Sequence, residues 1–436
     1  MKKLSVKTQI LIGITLFSMF FGAGNLIFPP FLGLSAGKSA IPAFLGFAFS
    51  AIGLPILGVI AVARSGGLKA LSQKAGNKFA AVFMMLVYLS IGPCLAIPRT
   101  ASTSFEMAVT PFLGTGSNLV IIQIIYTIAF FAVALSLALH PTSLVDWIGK
   151  RLAPILLTLI AVLFVGCLIR ADFAVGDAQQ AYQTVPVVQG FIDGYQTMDA
   201  IAALVFGIVL TVNIRKKGVD DDQEVEKMTI RAGWIAAVCF LAVYGALLFI
   251  GMVHGSLDAQ NGAQLLSEVA KSLFGQIGSI ILAVIFFIAC LNTCVSLICC
   301  CAEYFHEIVP KFTYGFWACF FAIVSAIIAN AGLNMILSLS VPVLNCLYPV
   351  AIVFIILAFL PQWFQHGKYL YPLTVAFAAV FGIIYALDQI KVVIPGVTKA
   401  AEMLPMYTQG LGWVCPVIAG VVLGVILDLI TGKKKA

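Results

Sequence analysis

The sequence predicts an all-α integral membrane protein of about twelve transmembrane helices, built from two inverted repeats of five helices and two additional helices. Three observations predict this fold class: the composition, the succession of long apolar runs, and an interruption in the first and the sixth of these runs. Of the 436 residues, 61% are hydrophobic and 10% are charged, and the mean hydropathy is +1.07. Because soluble domains carry about 25% charged residues, this composition excludes an ordinary soluble enzyme.

Twelve apolar runs reach the length of about 20 residues that a membrane-crossing helix needs. The predicted spans are residues 9–34, 40–63, 79–108, 118–139, 151–169, 187–214, 232–253, 276–301, 313–332, 335–360, 370–387 and 411–430. The first span is too long for the apolar core of a signal peptide and contains Asn25, so we expect it to remain in the protein. Segments between spans reach at most about 22 residues, too short for a soluble catalytic domain.

The basic residues predict the orientation, because segments rich in Lys and Arg stay in the cytoplasm. With both termini cytoplasmic, 19 of the 25 basic residues fall inside. The remaining six are Lys38, Arg99, Arg170, Lys271, Lys391 and Lys399. The basic residues form short clusters between apolar runs rather than one basic face, which argues against a nucleic-acid partner.

The sequence contains no pattern of residues that is typical of a metal site or of a nucleotide-binding site. The four histidines lie far apart at predicted span ends, and the run Cys299–Cys301 contains no paired metal-binding spacing. The eleven cysteines are interpreted as small apolar side chains. No glycine-rich phosphate loop is present, so an ion gradient is expected to supply the work.

The first span is interrupted near its middle by Gly22, Gly24 and Asn25. Unpaired backbone in lipid costs several kcal/mol per group, so a broken helix persists only where it lines a cavity or binds something. The alternative is that the two glycines only permit close helix packing. The polar side chain of Asn25 favours the binding interpretation.

The sixth span contains a similar interruption, Asp193–Asp199, with two carboxylates in seven residues. Unbroken, this span would measure about 40 Å, more than a bilayer core of about 30 Å. The alternative is that the acidic stretch is an outer loop and the span begins at Asp199.

Interrupted helices at corresponding positions of two halves indicate the binding site of an inverted-repeat transporter. We expect a single membrane domain over residues 1–436, with one repeat at 9–170, an inverted repeat at 187–360 and two extra helices within 370–430. Freed amides suit an anionic group, and freed carbonyls suit a cation or an ammonium group. An amino acid presents both charges.

Further polar side chains lie in the eighth and third spans. Asn292, Thr293 and Ser296 offer oxygen ligands for a cation such as Na⁺, or simply bond to neighbouring helices. Arg99 and Glu106 are seven residues apart on one face of a predicted helix. They are interpreted as an outer gate, as charges paired with a partner elsewhere, or as two charges at the level of the lipid headgroups.

Several motifs resemble the bacterial branched-chain amino acid:cation symporter family. They are Ser18–Pro30 (SMFFGAGNLIFPP), Gly92–Glu106, Gly194–Asp199 (GYQTMD), Ala302–Tyr304 and Val341–Leu344. The resemblance runs essentially from end to end and implies a leucine-transporter-type fold, with helices 1 and 6 interrupted.

The resemblance also implies roles for individual residues. Gly22, Ala23, Gly24 and Asn25 would surround the substrate carboxylate, and Tyr195 and Thr197 would hold its ammonium group. The carbonyls of Ser18 and Phe21, with Thr293 and Asn292, would bind Na⁺. Asp199 would stabilise the site or exchange a proton.

The expected protein is therefore not an enzyme. It is a symporter that imports leucine, isoleucine or valine with Na⁺ across a bacterial inner membrane by alternating access, without a cofactor. The alternatives are the same fold coupled to H⁺ through Asp199, or a channel or membrane-embedded enzyme.

Overall fold

A computed structural model describes residues 5–113, 118–140, 153–170, 173–219, 221–361, 364 and 367–431. These residues are mainly helical, and the β-structure among them is one isolated bridge between Ala174 and His254. Lys2, Lys3, Lys150, Arg151 and Lys433–Lys435, on which the predicted orientation partly depends, lie outside the described residues.

The helices of the first half of the chain are α1 (Val6–Phe20), α2 (Ala23–Ala36), α3 (Ala40–Ala48), α4 (Leu54–Arg64), α5 (Leu68–Gln73), α6 (Asn77–Leu89), α7 (Ala96–Ala108), α8 (Leu119–Ala138), α9 (Ala153–Arg170), α10 (Gln180–Thr184), α11 (Pro186–Asp193) and α12 (Asp199–Lys216). Those that follow are α13 (Asp222–Met252), α14 (Gly262–Phe274), α15 (Gln276–Ile308), α16 (Tyr314–Ala329), α17 (Leu333–Ala358), α18 (Leu370–Gln389), α19 (Val397–Glu402) and α20 (Val414–Thr431). Single π-helical turns at Phe49–Gly53 and Ser90–Cys94 join α3 to α4 and precede α7.

Eight helical segments of the described chain are long and apolar enough to cross a membrane, and the bent pair Pro186–Thr197 and Asp199–Lys216 makes a ninth. Three shorter apolar helices, Val6–Phe20, Pro154–Ile169 and Tyr314–Ala329, lie at the first, fifth and ninth predicted spans. Every predicted span overlaps helical residues in the structure.

The predicted beginning of the seventh span, residue 232, is wrong by ten residues, because α13 begins at Asp222. The Asp221 side chain accepts a hydrogen bond of 3.0 Å from the Glu224 amide, and Asp222 and Glu224 lie in the first turn. An acidic first turn and an Asp cap stabilise a helix N-terminus. Hydropathy locates only the apolar part of such a helix.

Two groups of packed helices meet at the interruptions, and a third consists of α17, α18 and α20, with α17 contacting α4, α7 and α12. In the first group, α2 and α1 pack on α13, α11 packs on α3, and α12 packs on α4. In the second, α15 packs on α7, α8 and α16. The first group contains both interrupted helices, and the second presents α7 and α15 to them.

Glycines bring two of these helix pairs into backbone contact. A Cβ atom at Gly251 of α13 would lie 1.8 Å from the carbonyl oxygen of Pro30 in α2. A Cβ atom at Gly46 of α3 would likewise lie 1.8 Å from the carbonyl oxygen of Val187 in α11. Small residues at such crossings let membrane helices approach closely, so α2 and α11 are each held firmly against a continuous neighbour.

Candidate binding site between the two broken helices

The first interruption lies at Phe21 and Gly22, between α1 and α2. Both residues are extended, with φ/ψ of −71°/98° and −134°/−156°. The Gly22 amide donates to the Asn25 Oδ1 atom at 2.9 Å. A Cβ atom at Gly22 would lie 2.5 Å from the Thr293 Oγ1 atom, so this glycine allows α15 to touch the break.

The second interruption lies between α11 and α12. A 3₁₀ turn covers Gly194–Thr197, Met198 is left-handed with a φ of 67°, and α12 begins at Asp199. The chain bends by 48° there. The acidic stretch is therefore part of a helix followed by a 3₁₀ turn and not an extended loop, and it forms a bent pair with α12 that is long and apolar enough to be one span.

Asn25 joins the two interruptions. Its Nδ2 atom donates to the Asp199 Oδ2 atom and to the Tyr244 hydroxyl, both at 2.5 Å. The Tyr244 hydroxyl in turn donates to the Asp199 Oδ2 atom at 3.2 Å. All three side chains are buried. Tyr244 was not among the predicted site residues, because in the sequence it is a single tyrosine within an apolar segment.

Arg99 of α7 reaches the second interruption from the other helix group. Its Nη1 atom donates to the Gln196 carbonyl at 2.7 Å and its Nη2 atom to the Thr197 carbonyl at 3.3 Å. The side chain is 4% exposed, and the guanidinium carbon lies 5.7 Å from the centre of the Phe28 ring. Its interpretation as a charge at headgroup level is therefore wrong.

Glu106 lies apart from Arg99 on the same helix. It lies seven residues further along α7, a rise of about 10 Å. It is half-buried near the end of that helix, beside Asn261. The two charges form no pair.

Two side chains of α15 contact the first interruption. The Thr293 hydroxyl donates to the Phe21 carbonyl at 3.2 Å. The Asn292 Nδ2 atom donates to the Ser18 carbonyl at 2.6 Å and to the Ser18 hydroxyl at 2.8 Å. The expected use of Asn292 as an oxygen ligand is not the arrangement seen, because its amide nitrogen faces Ser18.

Tyr195 does not face the space between the breaks. Its ring is 1% exposed and stacks on Tyr348, with 4.0 Å between ring centres. Its carbonyl accepts a hydrogen bond of 3.0 Å from the Met198 amide. The expected contact between Tyr195 and the substrate ammonium group is therefore not supported by this geometry, whereas Thr197 does line the space.

A small cavity of about 30 Å³ lies between the two interruptions. Its walls include residues of both breaks, of α7 and of α15, namely Gly22, Ala23, Gly24, Asn25, Arg99, Thr197, Asp199 and Thr293. Arg99 and Asp199 are the only charged side chains among the residues that line it. A benzene-sized ligand occupies about 150 Å³ in a protein interior, so a leucine-sized molecule requires the walls to move apart.

A large cavity of about 410 Å³ is lined in part by Phe28 and Gln196, which both contact Arg99. Phe28 and Gln196 line the large cavity, while Arg99 and Thr197 line the small one. The contacts of Arg99 with the 196 and 197 carbonyls therefore form part of the wall between the cavities. Asp193, the other acidic residue of the interruption, lines the large cavity and not the small one.

The overall fold is similar to that of membrane transporters of known structure. The nucleobase-cation-symport-1 family transporter Mhp1, in a closed conformation with bromovinylhydantoin bound, matches 97% of this chain and 93% of its own, with a TM-score of 0.62 and 16% identity. A Na⁺-coupled sialic acid symporter matches 96% of this chain and 90% of its own, with a TM-score of 0.59 and 15% identity. These likenesses show the fold and agree with the leucine-transporter-type fold expected from the sequence.

The chain belongs to the branched-chain amino acid transport protein family, whose model matches residues 5–431. It is 41% identical to the branched-chain amino acid transport system 2 carrier protein of Pseudomonas aeruginosa, over 97% of both chains. It is 38% identical to the branched-chain amino acid permease BraB of Bacillus subtilis, over 99% of this chain and 98% of the relative. The family expected from the motifs is thus confirmed, and these relatives are named as carriers and permeases, not as enzymes.

Proposed function

We propose that this protein is a secondary active symporter that carries leucine, isoleucine or valine into a bacterial cell together with Na⁺. The observation that carries the proposal is the bond network of Asn25, which ties the first break to Asp199 of the second beside a cavity with one positive and one negative side chain. The names of the relatives supply the substrate class.

In this proposal, the amides at the start of α2 receive the substrate carboxylate, because the first amides of a helix have no partner within it and favour anions. The ammonium group lies beside Asp199 and the Thr197 oxygens. The aliphatic side chain faces Phe20, Ala202 and Phe206, which form an apolar wall of the small cavity.

Na⁺ binds in this proposal where α15 meets the first break. The Ser18 carbonyl, the Phe21 carbonyl and the Thr293 hydroxyl supply the oxygen ligands that a hard cation prefers. The Asn292 Oδ1 atom is buried without a hydrogen-bond partner in the described part of the chain. A half-turn of this amide about its Cβ–Cγ bond would direct an oxygen, instead of the nitrogen, toward Ser18.

The transport cycle follows from the two helix groups. We propose twelve membrane spans with both termini in the cytoplasm, a first repeat over residues 9–170, an inverted repeat over 187–360, and two further spans within 370–430. The group with the broken helices rocks against the group with α7 and α15, so that the small cavity opens to either side in turn.

The test is uptake of radiolabelled leucine into proteoliposomes, with an inward Na⁺ gradient or an inward H⁺ gradient imposed separately. Accumulation with Na⁺ alone supports the proposal, and excess unlabelled isoleucine or valine should suppress it. Accumulation with H⁺ alone would transfer the coupling role to Asp199. No uptake under either gradient, by protein that is folded and inserted, would contradict the substrate assignment.

A further inference from the structure

Arg99 is a buried guanidinium that forms no salt bridge with the described carboxylates, and the charge of Asp199 acts on it only across the small cavity. Among the described residues, no carboxylate oxygen lies within salt-bridge distance of it, and its hydrogen bonds go to two neutral carbonyls. Burial of an unpaired charge is costly, and buried charges in proteins are normally paired. A charge held in this way has capacity to bind an anion.

The guanidinium faces the small cavity beside the first break. A Cβ atom at Gly24 would lie 2.9 Å from the Arg99 Nη2 atom. Gly24 is in the first turn of α2, whose free amides and helix dipole also favour an anion. The only positive side chain of the cavity and the start of α2 therefore adjoin the same space.

We propose that Arg99 binds the α-carboxylate of the transported amino acid together with the first amides of α2. This inference rests on the proposed function and adds a substrate-binding residue to it. A guanidinium has five N–H donors in a planar fork that matches a carboxylate. The carbonyls of Gln196 and Thr197 engage its two terminal nitrogens through one contact each, which leaves donors for a ligand.

The proposal explains how the site selects a zwitterion. Arg99 and Asp199 lie on two walls of one cavity, so a molecule with both a carboxylate and an ammonium group satisfies both charges. An amine without the carboxylate leaves Arg99 unpaired, and an acid without the ammonium group leaves Asp199 unpaired. Binding of the carboxylate also joins α7 and α2, which belong to different helix groups.

The experiment compares two ligands on three forms of the full-length protein. Dissociation constants for leucine and for 3-methylbutylamine, which is leucine without its carboxylate, are measured by calorimetry on wild type, Arg99→Gln and Arg99→Lys in lipid nanodiscs. We expect Arg99→Gln to weaken leucine binding on the order of 100-fold, as loss of one partner of a buried charge pair does. Binding of the amine should change less than about 3-fold, within the spread of an indirect effect.

Arg99→Lys keeps the charge and loses the fork, so it should weaken leucine binding by about 10-fold with little effect on the amine. It also serves as the test if Arg99→Gln fails to fold, as judged by size exclusion and thermal unfolding. Equal weakening of leucine and amine by either variant would overturn the inference and leave Arg99 as a gate or a structural contact. If wild type binds no leucine, the proposed function itself fails, which is a separate result.

Discussion

Thr293 of α15 contacts the first break, and its hydroxyl is one of the proposed Na⁺ ligands. Thr293→Ala removes this oxygen and keeps the helix. We expect the Na⁺ concentration for half-maximal leucine uptake to rise on the order of 10-fold, which corresponds to about 1.4 kcal/mol, close to the lower end of the range for one hydrogen bond to a charged group. Thr293→Ser, which keeps the hydroxyl, is the control and should stay near wild type. An unchanged Na⁺ dependence in Thr293→Ala would make Thr293 a structural residue only.

Gly24 is the residue where a side chain would enter the small cavity directly. A Cβ atom there would lie 2.9 Å from the Arg99 Nη2 atom and 3.2 Å from the Thr197 Cα atom. Gly24→Leu should therefore abolish leucine uptake while the protein still inserts and purifies. Gly315→Leu is the control, because the nearest atom to a Cβ there is a Leu139 side-chain carbon at 3.6 Å. Normal uptake by Gly24→Leu would remove the first break from the binding site.

Substitution of Asp199 distinguishes coupling to Na⁺ from coupling to H⁺. Asp199→Asn keeps an oxygen that can accept from Asn25 and Tyr244 but loses the negative charge. With Na⁺ coupling, we expect weaker leucine affinity, by about 10-fold or more, and an unchanged requirement for Na⁺. With H⁺ coupling, the same variant would exchange leucine across the membrane without accumulating it. Exchange and net uptake, measured on the same vesicles, separate these outcomes.

Single residues were predictable where the chemistry is local. Gly22, Asn25, Thr197 and Asp199 stand out because glycine, amide and acid side chains are unfavourable inside an apolar helix. The partners were not predictable, since Tyr244 is 45 residues from Asp199 and 219 from Asn25. The sequence likewise leaves the direction of Arg99 open, because the helix period assigns a face but not the group that the side chain contacts.

At the scale of the elements, α2 depends on backbone contact with α13. Gly251→Ala would place a Cβ atom 1.8 Å from the Pro30 carbonyl oxygen and force the helices apart. Gly245→Ala in the same helix meets no atom within 4 Å and is the matched control. We expect Gly251→Ala to lower the melting temperature and to impair uptake. Gly245→Ala should be neutral or more stable, by up to about 1 kcal/mol from helix propensity. Equal melting temperatures of Gly251→Ala and wild type would show that α2 and α13 can move apart with little loss of stability.

Hydropathy predicts that these helices exist, but it does not predict where they begin and end. The breaks fall where glycine and polar residues interrupt the apolar runs, at Gly22 and at Gly194–Met198. The start of α13 at Asp222 was missed because its first turns are charged and extend beyond the apolar part. The π-helical turn at Phe49–Gly53 gave no distinct signal, whereas at Ser90–Cys94 the pair Gly92 and Pro93 indicates a kink but not its π-helical form.

At the scale of the whole molecule, the wall between the two cavities predicts unequal access from outside. Ser338 lines the large cavity and Ala202 the small one. In oriented vesicles, Ser338→Cys should react with a membrane-impermeant maleimide at least about 10-fold faster than Ala202→Cys. The parent chain, with its eleven native cysteines, gives the background rate. Equal reaction rates of the two cysteine variants in the absence of ligand would mean that the contacts of Arg99 do not close off the small cavity when the protein is in the membrane.

The opposite charges of Arg99 and Asp199 also have an electrical consequence. In the proposed Na⁺ symport these two charges add up to zero at the binding site, and leucine is itself neutral overall, so each Na⁺ that accompanies leucine would move one net charge. A membrane potential of about 100 mV contributes about 2.3 kcal/mol per charge, or about a 50-fold ratio of leucine inside to outside. Import would then generate an electric current across the membrane. The unloaded protein would return without moving net charge, because the charges of Arg99 and Asp199 cancel. With the proposed coupling, a bacterium with an energised membrane would therefore concentrate these amino acids even where Na⁺ is equal on both sides.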